Sequence, residues 1–268
     1  YTLWGYNYKQ VNISERLSFE RVEVDTLVLM EEAITFTKKL NALRTLISND
    51  SGSLTFTHLD KDLETNIRVN LEQILNSWDI PTNGRVRVRK LMPKGVLLRI
   101  STAGVYIPFV LEGHIDAGLH PIQYPFTMAH EMSHGYGIAD EGTCNFIGFL
   151  VCMNSESEFM QYSASVSYWR YLVNNLNKYA PHSYNIVVRE LDQNVKEDLK
   201  NIRIQMDKYP DVLPQIRDVF YDQYLKSHGV KGGLSNYSTV VRLVLEWKNS
   251  NHNQSLKSSI YNTIKTVD

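Results

Sequence analysis

Two histidines four positions apart, with a glutamate directly after the first, constrain this chain more than any other feature of its 268 residues: His130-Glu131-Met132-Ser133-His134. On a helix, side chains at i and i+4 stand one turn apart on the same face, so both imidazoles can reach one metal ion. The segment therefore has to be helical if this H-E-x-x-H pattern is to hold zinc, the ion it serves in hydrolytic sites. A start for that helix is visible in Tyr124-Pro125-Phe126-Thr127, where the proline ends a preceding strand and Thr127 caps a helix running through Met128, Ala129 and both histidines. Glu131 lies beside the paired imidazoles, where a carboxylate can accept a proton from water that a metal has acidified.

A catalytic zinc takes three protein ligands and leaves a position for water, so a third donor is required. Asp140 and Glu141 compete for it. On a straight continuation of the helix Glu141 would lie about 10.5 Å beyond His134 along the axis. The chain has to turn back, and Gly135 and Gly137 are the residues able to adopt the positive φ that ends a helix. A second helix then begins at 139–141 and runs through Val151, with its first turn facing the histidines. On it Glu141 ranks first as ligand and Asp140 serves as N-cap, while Asn145, one turn after Glu141, supports a histidine or the Glu141 carboxylate. The spacing His134-x-x-Gly137-x-x-Asp140 imitates the metzincin arrangement and would deliver Asp140 instead.

The flanking sequence predicts how this pair of helices is framed. Apolar residues at helical spacing mark 25–48 and, more weakly, 60–78 as helices. From 85 to 120 the texture changes to alternation and β-branched residues, interrupted by Pro93-Lys94-Gly95 and Thr102-Ala103-Gly104, which predicts two or three short strands. The run Arg85-Val86-Arg87-Val88-Arg89-Lys90 reads as one of them, its cations on the solvent side. Helical texture returns at 159–176, 183–206, 213–226 and 234–247. The expected fold class is mainly α (α+β), a single domain over 1–268, with N-terminal helices and a small sheet in 1–122 and the metal-binding helices and a helical remainder in 123–268.

Charge and cysteine content exclude several functions. A formal net charge of -1 leaves no excess of Lys and Arg to neutralise phosphates, so nucleic acid is not expected as a partner. The two cysteines, Cys144 and Cys152, lie about 12 Å apart if they share a helix, too far for a disulfide, and read as small buried residues. No run approaches eighteen apolar residues, so no membrane-spanning helix is expected within the chain.

Pro125-Phe126-Thr127 leading into His130-Glu131-x-x-His134, then Gly137, Glu141, Asn145-Phe146 and Tyr162-Ser163, resembles a bacterial domain-of-unknown-function family of membrane-anchored zinc peptidases of the gluzincin type. Weaker likeness extends to Leu3-Trp4-Gly5-x-Asn7-Tyr8 and to Tyr221-Asp222-x-Tyr224-Leu225-Lys226 with Tyr237, and so to nearly the whole chain. The resemblance implies a zincin-like metallopeptidase domain with one zinc held by His130, His134 and Glu141, and Glu131 as general base. Glu141-x-x-Cys144-Asn145 is similar to the gluzincin E-x-x-A-D/N pattern, with Cys144 for alanine. Thr143 stands where the family often has a second acid, and Gly135 where it has Gln.

A peptide or protein substrate is implied, as is a bacterial cell-membrane location through anchoring segments outside this chain, with Leu3 to Tyr8 suited to a chain leaving the interface. In gluzincins a strand ahead of the zinc helix lines the cleft; Glu112-Gly113-His114-Ile115-Asp116 is the candidate, an edge on which an extended peptide adds or an ordinary sheet edge. Tyr162 and Tyr237 are candidate donors to an oxyanion, chosen from sixteen tyrosines on chemistry alone. His114 and His120 are the other histidines near enough in sequence to approach the site, and neither is assigned a role. The alternative to an enzyme is a non-catalytic, metal-stabilised helical binding module at the membrane.

Overall fold

The expected helix at 25–48 forms as α2, Thr26–Ile47, after a single turn α1, Ile13–Arg16. Asp25 opens α2 by accepting the Val28 amide at 2.8 Å, which satisfies one of the donors a helix start leaves unpaired. The computed structural model describes residues 11–48, 50, 52–212 and 238–262. The weaker pattern at 60–78 forms α3, Leu63–Asn76, whose buried side chains Ile67, Leu71, Ile74 and Leu75 keep helical spacing.

Three strands follow: β1 Arg87–Leu91, β2 Gly104–Ile107 and β3 Glu112–Asp116. Their order is β1-β3-β2, with β3 parallel to β1 and antiparallel to β2. This corrects one expectation, because Glu112–Asp116 is the central strand and not an edge. The strand beside β3 with no further partner among the described residues, on the side away from β1, is β2. Behind β3, the Asp116 carboxylate is fully buried and accepts four backbone amides, from Gly95 (2.7 Å), Gly118 (2.6 Å), Leu97 (2.8 Å) and Leu98 (3.2 Å), which fixes the β1–β2 connection against the sheet.

The remaining helices are α4 Tyr124–Gly135, α5 Glu141–Met153, α6 Glu158–Tyr179, α7 Pro181–Arg189, α8 Gln193–Asp207, α9 Thr239–Asn249 and α10 Gln254–Asn262. Central among them is α5, buried along nearly all of its length because its sequence, from Cys144 to Met153, is apolar on every side except Asn145. It packs against α3, α4, α6 and α9. The segment 183–206 is not one helix. It breaks at 190–192, where Asn41 of α2 donates to the Glu190 carbonyl and accepts the Asp192 amide, each at 2.9 Å, while Leu191 turns into the core. The expected helix at 213–226 lies outside the described residues, as do 234–237 and the segment Leu3 to Tyr8. The fold is thus mainly helical with a small sheet, and among the described residues no helix is long and apolar enough to cross a membrane.

Candidate metal centre

The histidine helix begins one turn earlier than its sequence suggests. Pro125 sits in the first turn of α4, where its missing N–H costs nothing, and the Thr127 hydroxyl donates back to the Gln123 carbonyl at 2.8 Å instead of capping the helix. Ala129 and Met132 are fully buried, and Gly148 of α5 lets the two helices approach until a Cβ at that position would lie 3.3 Å from the His130 amide nitrogen. After His134, Gly137 alone takes the left-handed conformation, with φ of 90°. Gly135 is still helical; it is small because any side chain there would run into Val86. Asp140 caps the returning helix, its Oδ2 accepting both the amide and the hydroxyl of Thr143 at 2.6 Å.

The turn brings Glu141 back over the histidines. His130 Nε2 and His134 Nε2 are 3.2 Å apart, and the two Glu141 carboxylate oxygens lie 3.1 Å from His130 Nε2 and 3.4 Å from His134 Nε2. Four ligands at zinc distances of about 2.0–2.1 Å define a tetrahedron with edges of about 3.3 Å, and the nitrogen–nitrogen separation and both nitrogen–oxygen separations are of that size, with a different Glu141 oxygen facing each ring. Among the described residues, His130, His134 and Glu141 are the group of three donors that converges in this way.

The outward-facing nitrogens say more. His134 Nδ1 lies 2.8 Å from the Ile138 carbonyl, which can only accept, so this nitrogen carries the proton. His130 Nδ1 is 3.0 Å from Asn145 Oδ1, and the same reasoning applies when that oxygen accepts. Each neutral ring then directs the Nε2 lone pair inward, toward a carboxylate that also only accepts. Three acceptors facing one point repel one another unless a cation stands among them, either a proton or a metal ion. The side chains register the same demand: burial opposes protonation of His134, but Cys144 and Glu141 raise its pKa on balance, and although burial favours the neutral Glu141 acid, His130 and His134 hold its pKa well below the usual carboxylate range. Two nitrogens and an oxygen, with both rings anchored from behind, form a donor set that suits zinc.

A family described as "Protein of unknown function (DUF3810)" matches residues 1–245. The chain belongs to the DUF3810 family. No curated protein and no solved structure matches it. In this DUF3810 chain Asn145 supports His130 and not the Glu141 carboxylate, and Asp140 is spent on the helix cap, its carboxylate oxygen turned to Thr143. Tyr162 is corrected: it is fully buried, and its hydroxyl donates at 2.9 Å to Asp198, which is itself paired with Arg44 at 2.7 Å. Tyr237 lies outside the described residues. His114 stands on the central strand, on the face opposite Gly113, and His120 caps the short turn Pro121–Gln123 with its Nδ1; neither joins the cluster.

Glu131 is buried beneath the sheet, and among the described residues no hydrogen bond engages its carboxylate. Burial raises its pKa, helped by Glu141 and opposed by His130 and His134. Two neighbours were not foreseen in the sequence. A Cβ on Gly104 of β2 would fall 2.5 Å from Glu131 Oε1, so that strand presses directly on the acid. Tyr106, two residues on and therefore on the same face, is electrostatically coupled to His134, while burial raises its own pKa. Cys144 is the third surprise: its sulfur is 3.4 Å from His134 Nδ1, and burial lifts its pKa to about 11, leaving a neutral thiol as packing beside the ring.

Proposed function

We propose that this chain is a zinc-dependent metallopeptidase of zincin-like architecture, with His130, His134 and Glu141 as metal ligands and Glu131 as general base. The observation that carries the reading is the convergence of two imidazole Nε2 atoms, 3.2 Å apart, on the Glu141 carboxylate, one oxygen of which lies 3.1 Å from His130 and the other 3.4 Å from His134, with the outer nitrogens of both rings already committed. Bound there, zinc supplies Lewis-acid polarisation of a carbonyl and lowers the pKa of water.

The rest is done by the chain itself. Glu131, with a raised pKa and an uncommitted carboxylate, takes the proton of the water whose oxygen bonds to the scissile carbon, and returns it to the amine nitrogen as the C–N bond breaks. Tyr106, on the same face of β2 as Gly104 and electrostatically coupled to His134, is the phenol proposed to donate to the carbonyl oxygen as its charge grows, the role for which the sequence offered Tyr162 and Tyr237. Among the described residues the outer edge of β2 has no strand partner, and an extended peptide can pair with its backbone groups by strand addition, a mode that ignores side-chain identity. Gly104 keeps that strand close to the acid.

The test compares the zinc-loaded chain with Glu131→Gln on a broad peptide library. The reading expects both proteins to bind one zinc, and only the unaltered chain to cut. Equal inertness of both, with stoichiometric zinc, would hand the site to the non-catalytic binding module.

A further inference from the structure

The turn joining β2 to β3 carries an exposed apolar knuckle that the metal site does not use. Phe109, Val110 and Leu111 are 84%, 57% and 69% exposed, whereas the other exposed large apolar side chains among the described residues stand singly in sequence. The knuckle is a built turn: the Val110 amide donates to the Ile107 carbonyl at 3.2 Å, and Leu111 holds φ at 55°, a left-handed conformation that a leucine rarely takes. Three adjacent apolar side chains projected from a hairpin tip form a convex feature with no groove to receive a chain.

Cations stand beside it. β1 runs parallel to β3 with Arg87 opposite Glu112, the residue after Leu111, so β1 begins at the same end of the sheet as the tip. Arg85, Arg87 and Arg89 are exposed and alternate with buried Val86 and Val88, which places the three guanidinium groups on one face. Of the three, Arg89 contacts the Glu112 carboxylate at 3.1 Å and still remains 57% exposed. An apolar tip flanked by an arginine stripe is complementary to one environment in particular, an apolar layer beneath a sheet of phosphates.

We propose that this hairpin docks the chain onto an anionic lipid bilayer, with Phe109, Val110 and Leu111 entering the boundary between headgroups and acyl chains and Arg85, Arg87 and Arg89 meeting lipid phosphates. Apolar burial and attraction to anionic lipid act together in such contacts, and long cationic side chains keep their heads at the phosphate level while their stems follow the apolar residues. β2, Gly104–Ile107, leads from the tip toward Glu131 and spans about 10 Å. A docked hairpin therefore holds the β2 edge close above the bilayer. The inference does not depend on what the metal site does.

The experiment is co-sedimentation of the full chain with vesicles of phosphatidylcholine alone or mixed with phosphatidylglycerol, at low salt and at about 0.5 M salt, where the screening length shrinks to a few ångströms. The chain is expected on the mixed vesicles and not on pure phosphatidylcholine, with binding weakened by salt. Phe109→Ser/Leu111→Ser should lower the partition coefficient about tenfold or more, and Arg85→Gln/Arg87→Gln about as much on anionic vesicles, with near-ultraviolet circular dichroism and melting unchanged in both. Phe109→Trp gives a readout that tolerates loss of the double variant: its emission should shift to the blue on mixed vesicles only. Absence of binding to mixed vesicles, equal partition of the tip variant, or no emission shift would overturn the proposal. So would a tip variant that leaves vesicle binding intact while changing the mass of the chain in sedimentation velocity, since the knuckle would then be a protein contact.

Discussion

Asn145→Ala isolates the support of one proposed ligand, His130, without touching that histidine itself. The His130 ring is oriented by the 3.0 Å contact between its Nδ1 and Asn145 Oδ1, whereas the corresponding contact of His134, 2.8 Å to the Ile138 carbonyl, is to the backbone and cannot be deleted by substitution. Losing a support of this kind typically weakens metal affinity by about 10- to 100-fold, or about 1.4–2.7 kcal/mol. The metal-free fold should barely notice, because Asn145 is half-buried, the His130 side chain is 13% exposed, and water can take over the freed N–H. A cost of about 1 kcal/mol or less is expected there. Asn145→Asp keeps an acceptor at the same place and adds charge, so zinc should bind at least as tightly as to the unaltered chain. Competition titration against a chromogenic chelator in buffered zinc measures all three proteins. An affinity for Asn145→Ala within twofold of the original would refute the reasoning, since the His130 ring would then owe its orientation to something else.

Three other perturbations follow from contacts elsewhere in the fold. Gly104→Val forces a side chain onto Glu131, whose Oε1 lies 2.5 Å from the new Cβ; the proposed peptide hydrolysis should collapse and stability fall by about 1–3 kcal/mol, while the proposed zinc binding should persist, and turnover retained in the variant would refute the placement of β2. Asp116→Asn leaves at least one of the amides of Gly95, Gly118, Leu97 and Leu98 without an acceptor. The cost should be about 2–4 kcal/mol, seen as a melting point lowered by roughly 5–15 °C; a shift of about a degree would contradict it. Burial, with Lys208 adding, lowers the His120 pKa from 6.5 to about 4. The unfolded chain therefore takes up a proton across that window while the folded chain does not, so stability should fall on acidification from pH 6.5 to about 4, by up to about 3 kcal/mol. His120→Asn keeps the acceptor that faces the Ile122 amide and does not titrate; parallel stability curves for it and the original chain would refute the assignment.

Much of the site was readable because its information is local. Helical spacing alone puts His130 over His134, and the need to reverse the chain before Glu141 follows from the rise per residue, so Gly137, the Asp140 cap and the Asn145 support could all be named from the sequence. What could not be read depends on partners distant in sequence. Strand order is one case: nothing in 85–120 reveals that Glu112–Asp116 takes the centre and Gly104–Ile107 the edge, so Gly104 and Tyr106 went unnoticed beside Glu131. Tyr162 is another, chosen for its phenol but consumed by Asp198, thirty-six residues on. The break at 190–192 is a third, because its backbone groups are satisfied by Asn41, on a helix about 150 residues earlier. Thr127 failed for a smaller reason, since a proline within the first turn moved the helix start ahead of it.

Zinc-edge anomalous diffraction from crystals grown with zinc tests the metal centre most directly. The account predicts one strong peak per chain, at about 2.0–2.2 Å from His130 Nε2, His134 Nε2 and a Glu141 carboxylate oxygen, and its loss in Glu141→Ala. Zinc-saturated crystals with no peak between those side chains, or with a peak ligated by other residues, would contradict it.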